Sequence, residues 1–306
     1  MFSARNSSAI AGSLVFATML WGANNAGMKH LVQFWPPVAI SSGRFILCGV
    51  LMLALLKWTR WLGMPTAALT PAASRHLWTR TGLSLAVYVV SFMVAIKYTS
   101  PANVALYLGA SPVWALLLEG RSETGRGLRW LAALLAVAGA ATLFWPSLAL
   151  SGDRWFGECA ALLSSVLWAL YGHLARGLSG TMTGAELTAR SMWRAGLLLA
   201  PFSFWELSAS PVVWRWDAVA IFAYSVLLPG IVSFGLWAHA LKLWPTSKVY
   251  LFNNLIPIWT VFWTWLFFGD AITANVWLAL ILIVGAVVIS QTNWEKVLGR
   301  RWLPPE

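Results

Sequence analysis

Residues 93–112, MVAIKYTSPANVALYLGASP, and residues 238–257, AHALKLWPTSKVYLFNNLIP, are two versions of one pattern. In each, a lysine (Lys97, Lys242) follows an apolar run, a proline (Pro101, Pro245) sits in the turn beyond, and a second proline (Pro112, Pro257) interrupts the next run. Lys97 to Pro112 and Lys242 to Pro257 are both 15 positions, so the copies lie 145 apart. Leu20-Trp21 answers Leu167-Trp168 at 147, and Gly139 answers Gly285 at 146. A unit of nearly half the chain is too long for a solenoid repeat. The chain is therefore read as a duplicated domain, 1–150 and 151–306.

Each copy must satisfy its backbone with little water around it. Only 10% of the residues are charged, against about 25% in soluble domains, and 59% are hydrophobic. Backbone in lipid closes its own hydrogen bonds, as helices or as a barrel. Apolar runs of roughly 20 residues, rather than alternating strands of about 10, select helices. The expected fold is an all-α polytopic membrane protein. Its ten spans lie near 9–28, 38–56, 77–96, 103–118, 128–147, 156–175, 185–205, 218–241, 249–268 and 272–291. Arg5 ahead of the run from Ala9 has the outline of a signal peptide, but that run returns at 156–175 and is kept as the first span.

With a cytoplasmic N-terminus, 14 of the 21 Lys and Arg residues face inward, 4 (Lys29, Lys97, Arg154, Arg215) face outward, and Arg44, Arg190 and Arg194 lie within spans. This bias places both termini in the cytoplasm. It explains the net charge of +11 by anchoring against anionic lipid rather than by nucleic acid, which is not expected as a partner. Five spans per copy invert the second copy, an arrangement that in transporters puts the binding site between the repeats.

Along the chain, the first span sets Trp21, Asn24, Asn25 and Met28 on one face, within about 100° of arc. The amides serve either as interhelical ties or as a cavity wall. Arg44 in the second span has a structural or snorkelling duty, or touches substrate. The loop 57–76 reads as a connector on the membrane surface. The third span aligns Tyr88, Ser91, Phe92 and Ala95, and the fourth aligns Asn103, Tyr107 and Ser111 ahead of Pro112. Spans five and ten are almost purely apolar and suit the periphery or a homodimer contact. The sixth carries Ser164, Trp168 and Tyr171; His173 lies near its end. In the seventh, Glu186 and Arg190 are spaced to pair with each other, and Arg190 answers Arg44 at 146, which favours a structural duty for both. The eighth is interrupted at Pro229-Gly230 and shows Ser233 and Trp237. The ninth bears Tyr250, Asn253, Asn254 and Pro257, where the fourth has Ala105, Leu108, Gly109 and Pro112.

L-W-G-A-N-N-A followed by P-P-V-A…R-F resembles the opening of EamA-type members of the drug/metabolite transporter superfamily. Each A-x-K…P-V/I-W segment, with its trailing Gly-containing span, is similar in the same way. The resemblance covers nearly the whole chain. It implies ten helices in two inverted halves, cytoplasmic termini, a cavity lined by spans 1, 3, 4, 6, 8 and 9, and usually export of small metabolites. Trp21, Asn24, Pro112, Trp168, Trp237 and Pro257 match the family's motif positions. The acidic residue that often closes the fourth helix stands here as Glu119 in an unusual loop, with Asp270 as its counterpart.

Trp21, Asn24, Tyr88, Tyr107, Trp168, Tyr171, Trp237, Asn253 and Asn254 form the candidate substrate-binding set, with Pro112 and Pro257 as helix bends. Rings supply area and amides orient polar groups, which suits neutral or zwitterionic molecules, amino acids foremost. The runner-up is a multidrug or other metabolite/proton antiporter. No Lys lies in mid-span to meet phosphate, and many of the 22 Trp residues sit at span ends, as interfacial belts do. Every Asp and Glu falls at a span end or in a loop, so no buried carboxylate is expected to carry protons. An intramembrane enzyme would need a motif such as HExxH, GxSxG or Walker A, none of which occurs; Cys48 and Cys159 lack CxxC spacing. A scaffold leaves the bent, polar-faced repeats unexplained. The expectation is a transporter with no cofactor and no metal, partnered by a small-molecule substrate and membrane lipid, in a bacterial inner membrane.

Overall fold

A computed structural model describes residues 4–65, 68–118, 126–148, 154–178, 180–243, 249 and 251–291. Among the described residues every regular element is helical. α1 (Ala4–Leu31), α2 (Pro37–Trp58), α5 (Arg126–Leu148), α6 (Arg154–Arg176), α7 (Gly184–Ala209) and α10 (Ala274–Gln291) are unbroken. α3 (Pro71–Tyr98) contains a π turn over Leu77–Gly82. α4 is split into Pro101–Gly109 and Ser111–Leu118. α8 joins Trp216–Leu227 to Ser233–Leu243 through a π turn, Leu228–Val232. α9 (Leu255–Phe268) follows a 3-10 turn at Leu251–Asn254.

Four stretches are long and apolar enough to cross a bilayer unaided: Pro37–Trp58, Pro71–Tyr98, Arg154–Arg176 and Trp216–Trp237. Leu47, Val50 and Leu51 of α2 and Leu162, Leu163 and Val166 of α6 are exposed, a surface that water would not tolerate and lipid covers. The chain is an integral membrane protein.

Helix ends follow local chemistry. α2 opens with Pro37, whose missing N–H costs nothing in a first turn. The next two donors, Val38 N and Ala39 N, both reach the Glu206 carboxylate of α7, at 2.8 and 3.0 Å. That places a negative charge on the positive end of the helix dipole. Thr70 and Ser100 cap α3 and α4 in the same way, their hydroxyls accepting from Ala73 N and Asn103 N. At the far end of α3, Lys29 Nζ donates to the carbonyls of Ile96, Lys97 and Thr99. α9 stops at Gly269, whose φ of 66° is open to glycine at little cost.

Two expectations about the loop 57–76 are corrected. Helix begins at Pro71, inside the expected loop, because Thr70-Pro71 is a start signal. The loop is also not confined to the surface: Leu62 is fully buried, and the Trp61 ring fills the space a side chain on Gly235 would need.

The two halves meet most extensively where α2 crosses α7. A Cβ on Gly49 would stand 2.5 Å from Trp193 N and 2.7 Å from Ala189 O. One on Gly196 would stand 2.6 Å from the Ile46 side chain and 2.8 Å from Ser42 O. Adding 147 to 42, 46 and 49 gives 189, 193 and 196, so the contact is the same on both sides. The repeats therefore face each other about a pseudo-two-fold axis, with a glycine from each receiving the partner's backbone.

α5 and α10 pack on each other within the chain, Gly139 against Ile283, Leu282 and Ala279. Their inner faces (Ala132, Ala136, Ala279, Ala286) are buried there, and Leu134, Val137, Leu278 and Ile281 remain exposed toward lipid.

Candidate functional site

Two aromatic groups stand inside the bundle. Trp21 of α1 lies edge-on to Phe234 of α8, with centroids 5.2 Å apart, and 5.3 Å from Trp237. Its indole N–H donates to Pro229 O at 2.9 Å. The π turn at Pro229-Gly230 interrupts the regular ladder, and a neighbouring helix takes up a carbonyl there. On the other side Tyr88 of α3 lies 5.0 Å from Trp168 of α6, and Trp168 lies 5.5 Å from Tyr171. The groups correspond: 21 + 147 is 168, and 88 + 146 is 234. Five residues of the expected set (Trp21, Tyr88, Trp168, Tyr171, Trp237) thus fall into two symmetry-related clusters at the junction of the repeats.

The amides of α1 divide the two duties proposed for them. Asn25 Nδ2 donates to Thr260 Oγ1 of α9 at 3.0 Å, an interhelical tie. Asn24, one residue earlier and 4% exposed, keeps its Oδ1 buried without a hydrogen-bond partner. Asn25→Ala is expected to lower thermal stability by about 0.6 kcal/mol, the usual worth of such a bond in a bilayer. Asn24→Ala should leave stability near wild type while impairing transport; thermal unfolding in detergent and uptake by proteoliposomes check both.

Tyr107 is engaged elsewhere. Its side chain is 1% exposed, its hydroxyl donates to Ala140 O of α5 at 3.2 Å, and its carbonyl accepts from Ser165 Oγ. Asn253 sits half-buried in the 3-10 turn before α9. The side chains of Asn254 and Pro112 lie outside the described residues, as do Glu119 and Tyr250. The split in α4 falls at Ala110, just ahead of Pro112, and the change of helix type falls one turn ahead of Pro257.

Two charged groups acquire a significance that their sequence positions did not suggest. Arg44 of α2 is half-buried, with its guanidinium 6.0 Å from the centroid of the Phe45 ring. Its Nε is buried without a partner, and it makes no ion pair among the described residues. Its counterpart Arg190 is satisfied on its own helix, with Nη2 2.7 Å and Nε 2.8 Å from Glu186 Oε1. Arg194 donates to Arg190 O and stacks on Trp193 at 4.4 Å. The two arginines that correspond in sequence differ in their partners: Arg190 is paired with Glu186, and Arg44 has no ion pair among the described residues.

Glu158 is the second. It falls at the edge of a span in sequence, yet it is fully buried, against the expectation that no carboxylate would be. Thr99 Oγ1 and Asn103 Nδ2 donate to its Oε1 at 2.5 and 2.7 Å, and Arg154 Nε is 4.0 Å away. Gly157 permits this, since a Cβ there would stand 2.9 Å from Thr99 N and from Tyr98 Cβ. Nothing in sequence joins Glu158 to Thr99 and Asn103, which lie 59 and 55 residues away. Glu186 is likewise fully buried, against Arg190.

A groove of 240 Å³ between α3 and α6, lined by Val90, Ser91, Val94, Phe156, Cys159, Ala160 and Leu163, lies on the outside of the bundle. A second, of 360 Å³, lies beside Trp145 and Asn275. Neither includes a residue of the aromatic clusters.

Residues 9–145 and 155–292 each match the EamA-like transporter family. The Escherichia coli inner membrane transporter YedA, whose name marks it uncharacterized, is 27% identical over 286 residues, 91% of this chain and 89% of its own. An uncharacterized transporter of Archaeoglobus fulgidus is 24% identical over 254 residues, 81% of this chain and 85% of its own. A solved crystal structure superposes with a TM-score of 0.64 at 21% identity, over 96% of this chain and 99% of that one, a likeness of fold.

Proposed function

The chain belongs to the EamA-like transporter family, and on that premise we propose that it moves small neutral or zwitterionic metabolites, amino acids foremost, across a bacterial inner membrane. The mechanism is alternating access: ten spans in two inverted halves rock about a site between them, with net export. The cargo lies against Trp21, Trp237, Tyr88, Trp168 and Tyr171, and Asn24, Asn253 and Asn254 orient its polar groups. The observation that carries this reading is the correspondence of the Trp21–Phe234 and Trp168–Tyr88 pairs. Alternating access requires such a site, built from both repeats and presented alike to either side.

Counterflow in proteoliposomes tests it. Vesicles loaded with unlabelled neutral amino acids should accumulate the labelled species transiently, and a panel with no saturable exchange would overturn the substrate class. One observation favours a second reading, proton-coupled antiport: the buried carboxylate of Glu158. It predicts uptake driven by a pH gradient in addition to exchange.

The charge bias sets the orientation. In a cysteine-free background, a cysteine at position 154 should react with an impermeant maleimide in intact cells, and one at position 60 should react only after permeabilisation. Labelling of position 60 from outside would invert the assignment.

A further inference from the structure

We propose that the groove between α3 and α6 binds one anionic phospholipid, with an acyl chain laid along the groove and the phosphate on Lys97. Such a site is independent of what the protein carries. The groove has a volume of 240 Å³, and its two walls come from different repeats. Val90 and Val94 lie one turn apart on α3, and Phe156, Cys159, Ala160 and Leu163 follow helical spacing on α6, so the groove runs along both helices. Its one hydroxyl is spent, since Ser91 Oγ donates to Val87 O of its own helix at 2.8 Å. What remains is hydrocarbon and the exposed Cys159 thiol, a lining that offers a ligand no strong hydrogen bond. At membrane depth the matching occupant is hydrocarbon.

The outward end of the groove supplies the charge. Lys97 continues the Val90–Val94 face of α3, about 10 Å along the helix from Val90. Its Nζ lies 5.4 Å from the centre of the Tyr98 ring, and Tyr98 stands edge-on to Phe156, a groove wall, at 5.7 Å. Trp155, half exposed, lies 6.1 Å from Phe156, as amphipathic rings do at headgroup level. Of the four cations assigned to the outer side, three are engaged. Lys29 donates to three carbonyls, Arg154 Nε stands 4.0 Å from Glu158, and Arg215 forks onto Asp217. Lys97 is exposed and has no ion pair among the described residues. A cation at the mouth of a hydrocarbon groove complements a lipid phosphate, and net charge then favours phosphatidylglycerol over phosphatidylcholine. The lipid bridges the repeats beside an existing tie: Cys159 lines the groove, while its neighbour Glu158 turns to Thr99 and Asn103.

Cys159 is a native reporter of the groove, because the chain's other cysteine, Cys48, is buried. Purified protein in a fixed detergent is titrated with phosphatidylglycerol or with phosphatidylcholine of the same acyl chains, and the rate of maleimide reaction at Cys159 is followed. Phosphatidylglycerol should protect the thiol at concentrations about 5-fold below those phosphatidylcholine requires, the factor expected of one lysine facing an anionic lipid. Lys97→Gln should bring the two lipids within about 2-fold, and Lys97→Arg should keep the preference. Phe204→Cys in a Cys159→Ser background places a thiol at matching depth on α7, outside the groove, and should show no preference. Cys159→Trp, which fills the groove, should lose the thermal stabilisation that phosphatidylglycerol gives wild type. Absence of protection at Cys159 overturns the proposal, and so does equal protection by both lipids, which would make lipid a solvent only. The same preference at position 204, a preference undiminished in Lys97→Gln, or full stabilisation of Cys159→Trp would also overturn it. The two lipids on wild type decide the matter even if a variant does not fold, and no readout depends on transport.

Discussion

Replacing Gly49 or Gly196 by leucine is expected to abolish accumulation of folded protein, and alanine at either position should be almost as damaging. A Cβ at Gly49 would meet backbone, Trp193 N and Ala189 O, and one at Gly196 would meet Ile46 N and Ser42 O, all inside 2.9 Å. A flexible side chain can swing aside; two helix backbones can only separate. Separation would break the Ser42 Oγ to Gly196 O hydrogen bond of 2.8 Å and open the largest contact between the halves. Overpacking a core costs about 1–3 kcal/mol where side chains can yield, so about 3 kcal/mol or more is expected here. Glycines in open space provide the contrast. Gly12 and Gly172 have nothing within 4 Å of a built Cβ, and their alanine variants should be neutral or stabilising by about 0.5–1 kcal/mol. Gly139 lies between, since its nearest neighbour is the movable Ile283 side chain at 2.7 Å. Expression with fluorescence-detected size exclusion, then thermal unfolding, ranks the series. Well-folded Gly49→Leu and Gly196→Leu proteins would show that the two helices do not cross this closely.

The crossing also shows what one sequence can reveal of such a fold. The offset of 147 between Trp21 and Trp168 is the offset that relates Gly49 to Gly196, so the duplication was legible from a few residues that packing keeps in register. An inverted second copy is the expectation that five spans per copy raise. The pairing of Glu186 with Arg190 was legible because i, i+4 neighbours on a helix meet whatever surrounds them. What stayed hidden depends on contacts across the bundle. Gly139 and Gly285 correspond in sequence, yet only Gly139 is pressed against another helix. Asn24 and Asn25 are adjacent, and nothing in their order says which one α9 will engage. Arg44 looked like Arg190 because spacing records position and not partners; that one has a carboxylate four residues away and the other has none is a difference the spacing alone does not weigh.

Glu158→Ala is expected to unfold much of the protein, and Glu158→Gln to leave it folded. The carboxylate joins three elements: it stands on α6, accepts from Thr99 in the α3–α4 turn, and accepts from Asn103 in α4. All three side chains are at most 4% exposed. Truncation to alanine strands a buried hydroxyl and a buried amide, at about 1–3 kcal/mol each, and empties the volume between them. Thr99 also accepts from Lys29 Nζ through its carbonyl, so α1 loses a support with the same substitution. Glutamine retains an acceptor oxygen where Oε1 stands, so Thr99 and Asn103 keep their bonds at neutral rather than charge-assisted strength. A loss of about 1 kcal/mol is then expected, and counterflow should survive. Transport assays separate two roles that unfolding curves cannot. If Glu158 is a tie between the repeats, Glu158→Gln keeps both exchange and any uptake driven by a pH gradient. If exchange persists while gradient-driven uptake disappears, the carboxylate carries the proton, and antiport replaces exchange as the mechanism. A stable Glu158→Ala protein would exclude the tie, because it would mean that neither Thr99 nor Asn103 needs this partner.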